Sequence, residues 1–263
     1  MRIETMGDPG APAMLFIPGM LCTAESVRLF ARHMRTEGFF ILPTLSGHYA
    51  DAPDYGSKEQ EAAQLISWLQ ERGIRRLALL QGSSMGAEVA MEVLRQARGR
   101  IDVERCFFDG GPFFHFPWLF RRVMEGKFRQ MAKILQYDTP EAAIAGLAKL
   151  PIIGGIIGRD GDKYLPMLRT MMTEKRTISA VTLRNITETC YNFRIPAFPE
   201  EVQRRMRFLY SDDEPAYMAA RGVRKACPHA ELHVVQGLGH CGWQSSRPEE
   251  YAAMLDAFIA ADK

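Results

Sequence analysis

Short apolar runs alternate with longer amphipathic segments along most of this chain, and the alternation stops once. The runs at residues 13–17, 39–42, 76–80, 104–108, 206–210 and 231–235 are short and apolar, and each is closed by Gly, Pro or a polar turn residue. They predict β-strands, and their near-continuous apolarity suits strands covered on both faces. Between them, residues 24–36, 57–72, 84–97, 215–226 and 247–261 predict helices. Val27, Phe30, Ala31 and Met34 recur at helical spacing in the first of these. Ser57 is an N-cap for the second, and Pro248-Glu249-Glu250 makes a good first turn for the last. Such alternation predicts an α/β fold: a mostly parallel sheet with helices on both faces, joined by right-handed crossovers.

The break lies between Phe113 and Pro199, where the pattern becomes helical or irregular. Punctuation falls at Tyr137-Asp138-Thr139-Pro140, Pro151, Gly154-Gly155 and 158–162. Because strand signals stand on both sides, this stretch reads as an inserted, mainly helical cap. The expected organisation is a core formed by 1–112 and 199–263, with the cap at 113–198. Gly154, Gly155 and Gly158 lack the strand–helix frame of a phosphate loop and read as cap hinges.

Composition narrows the function classes. With 263 residues, 47 % hydrophobic and 24 % charged, the chain is apolar enough to bury a core and can form one large α/β unit. A net charge of +2 from 33 basic and 31 acidic residues argues against nucleic acid as a partner. The opening residues have no apolar core of the length a secretory signal needs. No stretch approaches the roughly 20 apolar residues of a membrane span. Cys22, Cys106, Cys190, Cys227 and Cys241 are scattered and contain no Cys-x-x-Cys pair, which fits neither a disulfide framework nor a zinc site. The expectation is a cytoplasmic protein with neither a nucleic-acid nor a membrane partner. The sequence leaves its oligomeric state open.

One segment carries the chemistry. A buried-strand run, Leu77-Ala78-Leu79-Leu80-Gln81, leads into Gly82-Ser83-Ser84-Met85-Gly86 and then a helix opening Ala87-Glu88-Val89-Ala90. This is Gly-x-Ser-x-Gly in a strand–turn–helix context. A serine at the apex of so sharp a turn leaves no room for side chains two positions before and after it, and the two glycines meet that demand. The helix N-terminus adds free N–H groups and partial positive charge near the serine oxygen. Ser83 is expected only to pack at the turn.

On these residues the chain resembles the α/β-hydrolase superfamily, capped serine hydrolases of the carboxylesterase kind, over nearly its whole length. The resemblance implies an eight-stranded sheet, or a variant lacking the first strand. It also implies a nucleophile, an acid and a histidine in that chain order, with no metal or organic cofactor. Ser84 is then the nucleophile. His240, in Gly237-Leu238-Gly239-His240-Cys241 after the last strand signal, occupies the place of the base. The family acid follows a Gly-x-x-Asp or Gly-x-x-Glu pattern. Here Ser211-Asp212-Asp213-Glu214 follows the strand, which points to Glu214, with Asp213 and Asp109 as alternatives. Backbone N–H groups of Met85 and Met20, with Leu21 as fallback, would form the oxyanion hole. Pro18-Gly19 stands where the family often has His-Gly.

The resemblance implies acyl chemistry on an ester, thioester, lactone or similar bond. Modal within it is ester hydrolysis of a small or medium apolar acyl group through an acyl-enzyme. An acyltransferase or lyase outcome, or a non-catalytic ligand-binding protein, remains open. Phe113, Phe114 and His115, which follow directly on a strand end, are the expected substrate contacts. Arg121, Arg122, Lys127 and Arg129 read as a solvated face, His48 as a structural loop residue, and His33, His229 and His233 as surface or packing residues.

Overall fold

The computed structural model describes residues 1–136, 139–150, 161–174 and 176–261. The breaks read at 137–138 and 151–160, including the hinge glycines Gly154, Gly155 and Gly158, lie outside the described residues. Nine strands are described. They are β1 (Arg2–Gly7), β2 (Ala13–Ile17), β3 (Phe39–Thr44), β4 (Arg76–Leu77), β5 (Leu79–Ser83), β6 (Asp102–Val103), β7 (Cys106–Asp109), β8 (Met206–Ser211) and β9 (Glu231–Val235). Seven form one sheet in the order β1-β3-β2-β5-β7-β8-β9, and β4 pairs with β6 beside it. Every neighbouring pair in the large sheet is parallel except β1 with β3. Of the two sheets implied by the resemblance, the seven-stranded one is present.

The strand signals are sound in the interior and weak at the edge. β2 is buried at every position, as a strand covered on both faces requires. Its side chains alternate, with Leu15 and Ile17 entering one apolar cluster and Met14 and Phe16 the other. The same period of two sends Phe108 to the first cluster and Phe107 to the second. Burying each of these large side chains contributes roughly 1.5–3 kcal/mol. β1 has no signal in the sequence reading, because an edge strand is only half covered and Arg2 and Glu4 break its apolarity. The single run at 76–80 divides at Ala78, whose N–H turns to the Ala13 carbonyl oxygen (2.8 Å).

On the Leu15 and Ile17 side lie α2 (Lys58–Glu71) and α3 (Met85–Ala97); α1 (Ala24–Ala31) covers the other. The N–H of Gln60 donates to Ser57 Oγ at 3.2 Å, so Ser57 caps α2 as expected. α1 stops at Ala31, short of the predicted 36. The N–H groups of Arg35 and Thr36 are taken instead by Asp256 (2.8 and 3.1 Å), which turns the chain away.

Between β7 and β8 the inserted helical region holds α4 (Trp118–Ile134), α5 (Pro140–Leu147), α6 (Leu165–Met171) and α7 (Ala180–Tyr191), followed by α8 (Glu200–Gln203). After β8 come a 3₁₀ turn at Pro215–Ala219 and α9 (Ala220–Ala226), together spanning the predicted 215–226. After β9 come α10 (Gly242–Ser246), which the sequence reading missed, and α11 (Pro248–Ala260).

Strand order places the site. From β2 the chain moves outward to β3, then returns across β2 to β5 on its other side. The loops leaving β2 and β5 therefore diverge and open a crevice at the carboxyl edge of the sheet. Residues 18–22 and Ser84 stand at that crevice.

Candidate active site

Ser84 sits between β5 and α3 with φ +52° and ψ −125°, a left-handed backbone for a residue with a Cβ. Such a conformation costs about 1–3 kcal/mol and persists only where its surroundings enforce it. Here the Ser84 N–H donates to the Asp109 carbonyl oxygen (2.7 Å) and the Ala87 N–H to the Ser84 carbonyl oxygen (2.9 Å). A Cβ at Gly82 would lie 2.3 Å from the Gly86 oxygen, and one at Gly86 would lie 2.3 Å from the Ile17 oxygen. Close packing of α3 on β5 and β2 thus admits only glycine at both places.

Three groups from distant parts of the chain meet at this turn. His240 Nε2 lies 2.8 Å from Ser84 Oγ. His240 Nδ1 is hydrogen-bonded to Glu214 Oε2. With the Nδ1 proton donated to the carboxylate, Nε2 is left to accept from the serine hydroxyl. Glu214 is itself fixed, because the Ser211 N–H donates to its Oε1 at 2.6 Å. The Glu214 side chain is wholly buried, whereas that of His240 keeps 18 % of its surface. Burial alone would lower the His240 pKa. The hydrogen bond and negative charge of Glu214, with the charge of Asp109, outweigh it and hold the imidazole above its ordinary 6.5.

The other two carboxylate candidates do different things. Asp213 is exposed. Asp109 is buried and accepts from Gln244 Nε2 (2.9 Å). Burial first, then the Glu214 charge, push its carboxyl up to about 7 against the pull of His240, Tyr251 and Gln244. Gln81 Nε2 extends the same network, donating to Ser83 Oγ (2.7 Å) and Tyr251 Oη (3.1 Å). Ser83 therefore holds a place in a buried polar network, which its position in the motif did not signal.

The loop after β2 borders the serine. A Cβ on Gly19 would lie 3.2 Å from Ser84 Cβ. Its turn is closed by the Cys22 N–H on the Gly19 oxygen (3.2 Å), with Leu21 at φ +61°. Met20 follows Gly19, and Met85 is the first residue of α3, where an N–H has no acceptor within its helix.

Above Ser84 and His240 lies a cavity of about 190 Å³. Its described walls come from the loop after β2 and from the inserted region, through side chains such as Met20, Phe114, Phe128, Met131 and Leu168. No Asp, Glu, Lys or Arg is among those lining residues. Of the three expected contacts, Phe114 lines the cavity and the other two do not. Phe113, at φ +33°, turns into the core against Phe108, Phe193 and Phe208. His115 is exposed, bridges to Asn192 and meets Arg194 Nη2 (2.9 Å).

The remaining polar candidates also lie off the cavity. His48 is fully buried, and its Nδ1 donates to the Ser46 oxygen (2.8 Å). Burial lowers its pKa to about 4, so the ring is neutral. Arg121 is paired with Glu188, and Arg122 and Arg129 with Glu125. Glu88, one helical turn beyond Ser84, is fully buried, and burial drives its carboxyl well above the usual range. Among the described residues, no three His, Cys, Asp or Glu gather as a metal site would need, and no helix is long and apolar enough to cross a membrane.

A profile of the Alpha/beta hydrolase family matches residues 14–254. No curated protein matches the sequence. Several solved structures share the fold. A Desulfitobacterium hafniense protein described as of the alpha/beta hydrolase family superposes with TM-score 0.76 at 18 % identity, over 98 % of this chain and 100 % of that one. A carboxylesterase of the thaumarchaeon Nitrososphaera gargenis gives 0.71 at 18 % identity, over 98 % and 93 %. An esterase from Exiguobacterium antarcticum gives 0.71 at 14 % identity, over 98 % and 95 %.

Proposed function

The chain belongs to the alpha/beta hydrolase family, and from that premise we propose that it is a serine hydrolase cleaving a carboxylic ester, or a related acyl bond, of a small to medium apolar substrate. The observation that carries this reading is the contact of His240 Nε2 with Ser84 Oγ at 2.8 Å, backed by the His240–Glu214 hydrogen bond.

In this mechanism Ser84 Oγ attacks the acyl carbonyl while His240 Nε2 takes its proton. Glu214 holds the imidazole in the tautomer that can accept and stabilises the imidazolium. The main-chain N–H groups of Met20 and Met85 donate to the developing oxyanion, each such donor being worth about 2.7–4 kcal/mol. His240 then passes the proton to the leaving group. A water deprotonated by His240 next attacks the acyl-enzyme carbonyl, and the acid departs as the proton returns to Ser84. The chemistry asks for no metal or organic cofactor.

The inserted region, taken as 113–198, acts as a cap that supplies the acyl pocket. Its uncharged described lining and its methionines suit a neutral, apolar group of adaptable shape. All five cysteines are free and buried, which suits action in the reducing cytoplasm.

The test is exposure to nitrophenyl esters of graded chain length and to a fluorophosphonate, with Ser84→Ala alongside. Turnover together with labelling at Ser84, both abolished in Ser84→Ala, is the expected result. A ligand-binding protein of this fold would show neither. Added alcohol or amine, with product analysis, separates hydrolysis from acyl transfer.

A further inference from the structure

Arg176 belongs to the inserted region, yet it reaches the loop after β2, 155 positions away in sequence. The residue is 7 % exposed, and its Nη2 donates to the Leu21 carbonyl oxygen at 2.7 Å. Nη1 faces two further main-chain oxygens, those of Met171 (3.1 Å) and Glu174 (3.3 Å). Its hydrogen-bond acceptors are thus carbonyls on both sides of the core–cap boundary. The Glu174 carboxylate is engaged elsewhere, by Arg2 Nη2 (2.8 Å) and the Ala50 N–H (2.9 Å). A rigid planar fork that binds carbonyl groups fixes the course of the backbone rather than neutralising a charge. The backbone it fixes is unusual, because Leu21 is buried in a left-handed conformation (φ +61°) within the turn from Gly19 to Cys22. Met20 lies inside that turn.

We infer that Arg176 is a positioning residue: by tying the Leu21 carbonyl to the cap, it holds the Met20 N–H where the oxyanion forms, so the site is complete only when the cap is seated. This rests on the serine-hydrolase reading. It makes the cap part of the machinery of catalysis, beyond its service as a pocket wall. A donor that must meet charge present only in the transition state is sensitive to small displacements, whereas ground-state binding is not.

The experiment compares wild type, Arg176→Lys and Arg176→Ala on a short-chain nitrophenyl ester. Inhibition is measured with a trifluoromethyl ketone, whose adduct at Ser84 carries an oxyanion, and with the matching simple ketone. The expected result is kcat lower by roughly 10- to 100-fold with little change in KM. Trifluoromethyl ketone affinity should fall in step, simple ketone affinity should hold, and a low concentration of methylguanidinium should partly rescue Arg176→Ala. Arg176→Lys keeps the charge and most of the volume but replaces the rigid fork, whose two nitrogens serve the two sides, by a single nitrogen, so it decides the matter if Arg176→Ala does not fold. An active wild type with Arg176→Lys unchanged in kcat and in ketone discrimination would overturn this inference alone. A wild type with neither turnover nor Ser84 labelling would overturn the hydrolase reading, and this inference with it.

Discussion

Gly110 lies directly against the imidazole of His240. It holds φ +61°, and a Cβ there would stand 2.9 Å from His240 Cε1 and 3.0 Å from Glu214 Oε2. The residue therefore defines the shelf on which the His–Glu pair rests, a role invisible in its chemistry. Gly110→Ala should strain the backbone by roughly 1–2 kcal/mol and push the imidazole from Ser84. The expected outcome is a kcat/KM loss of about 100-fold or more with a modest drop in Tm. Retained activity would show that the pair adjusts freely.

The raised His240 pKa sets the pH dependence. In the proposed mechanism His240 must be neutral to accept the Ser84 proton, so activity should rise with pH through a midpoint above 6.5. Glu214→Gln removes the charge that holds the midpoint up, and should shift it down while lowering kcat by roughly 10³–10⁴-fold. Asp213→Ala, at an exposed position, should leave both values near wild type. Folding favours the protonated imidazole, so this group's stabilisation is full below 6.5 and is lost as pH rises through the higher folded value.

Asp109 should declare itself through stability. Its carboxyl is at about 7 in the folded protein against an ordinary 3.8, so folding favours the protonated acid. The resulting stabilisation is present below 3.8 and lost as pH climbs to about 7, an effect on the order of 4 kcal/mol. Asp109→Asn should lose less stability than wild type across that window, so the Tm difference between them should grow in favour of the variant from pH 4 to 7. Its kcat should change far less than that of Glu214→Gln, because Asp109 is bonded to Gln244.

Phe113 and Phe114, adjacent in sequence, should fail in opposite ways. Phe113→Ala empties a buried aromatic cluster and should cost about 3–5 kcal/mol of stability. Activity per folded molecule should be little affected. Phe114→Ala enlarges the cavity instead and should shift chain-length preference toward longer acyl esters at small cost in Tm. Denaturant titration and an ester series would separate the two.

Much of this protein was legible from its residues in order. Strand–helix alternation carried the parallel core, because strands buried on both faces must be apolar at every position, as β2 is. The demand for glycine at 82 and 86 located the sharp turn and Ser84 on it, and the family resemblance pointed to His240 and to Glu214, with Asp213 and Asp109 left as alternatives for the acid. Other features had no local signature. β1 owes its existence to β3, and its half-exposed residues do not alternate cleanly.

The directions of Phe113 and Phe114 depend on the left-handed backbone of Phe113 itself. That Glu214 meets His240, while Asp109 sits on Gln244 and Asp213 faces outward, follows from how the loops at the carboxyl edge fold over one another. The same is true of the reach of Arg176 to Leu21 across 155 positions. Local periodicity and turn sterics act between near neighbours and are written in the sequence. Contacts between loops arise only once the sheet has brought their ends together, and there the tertiary structure alone decides.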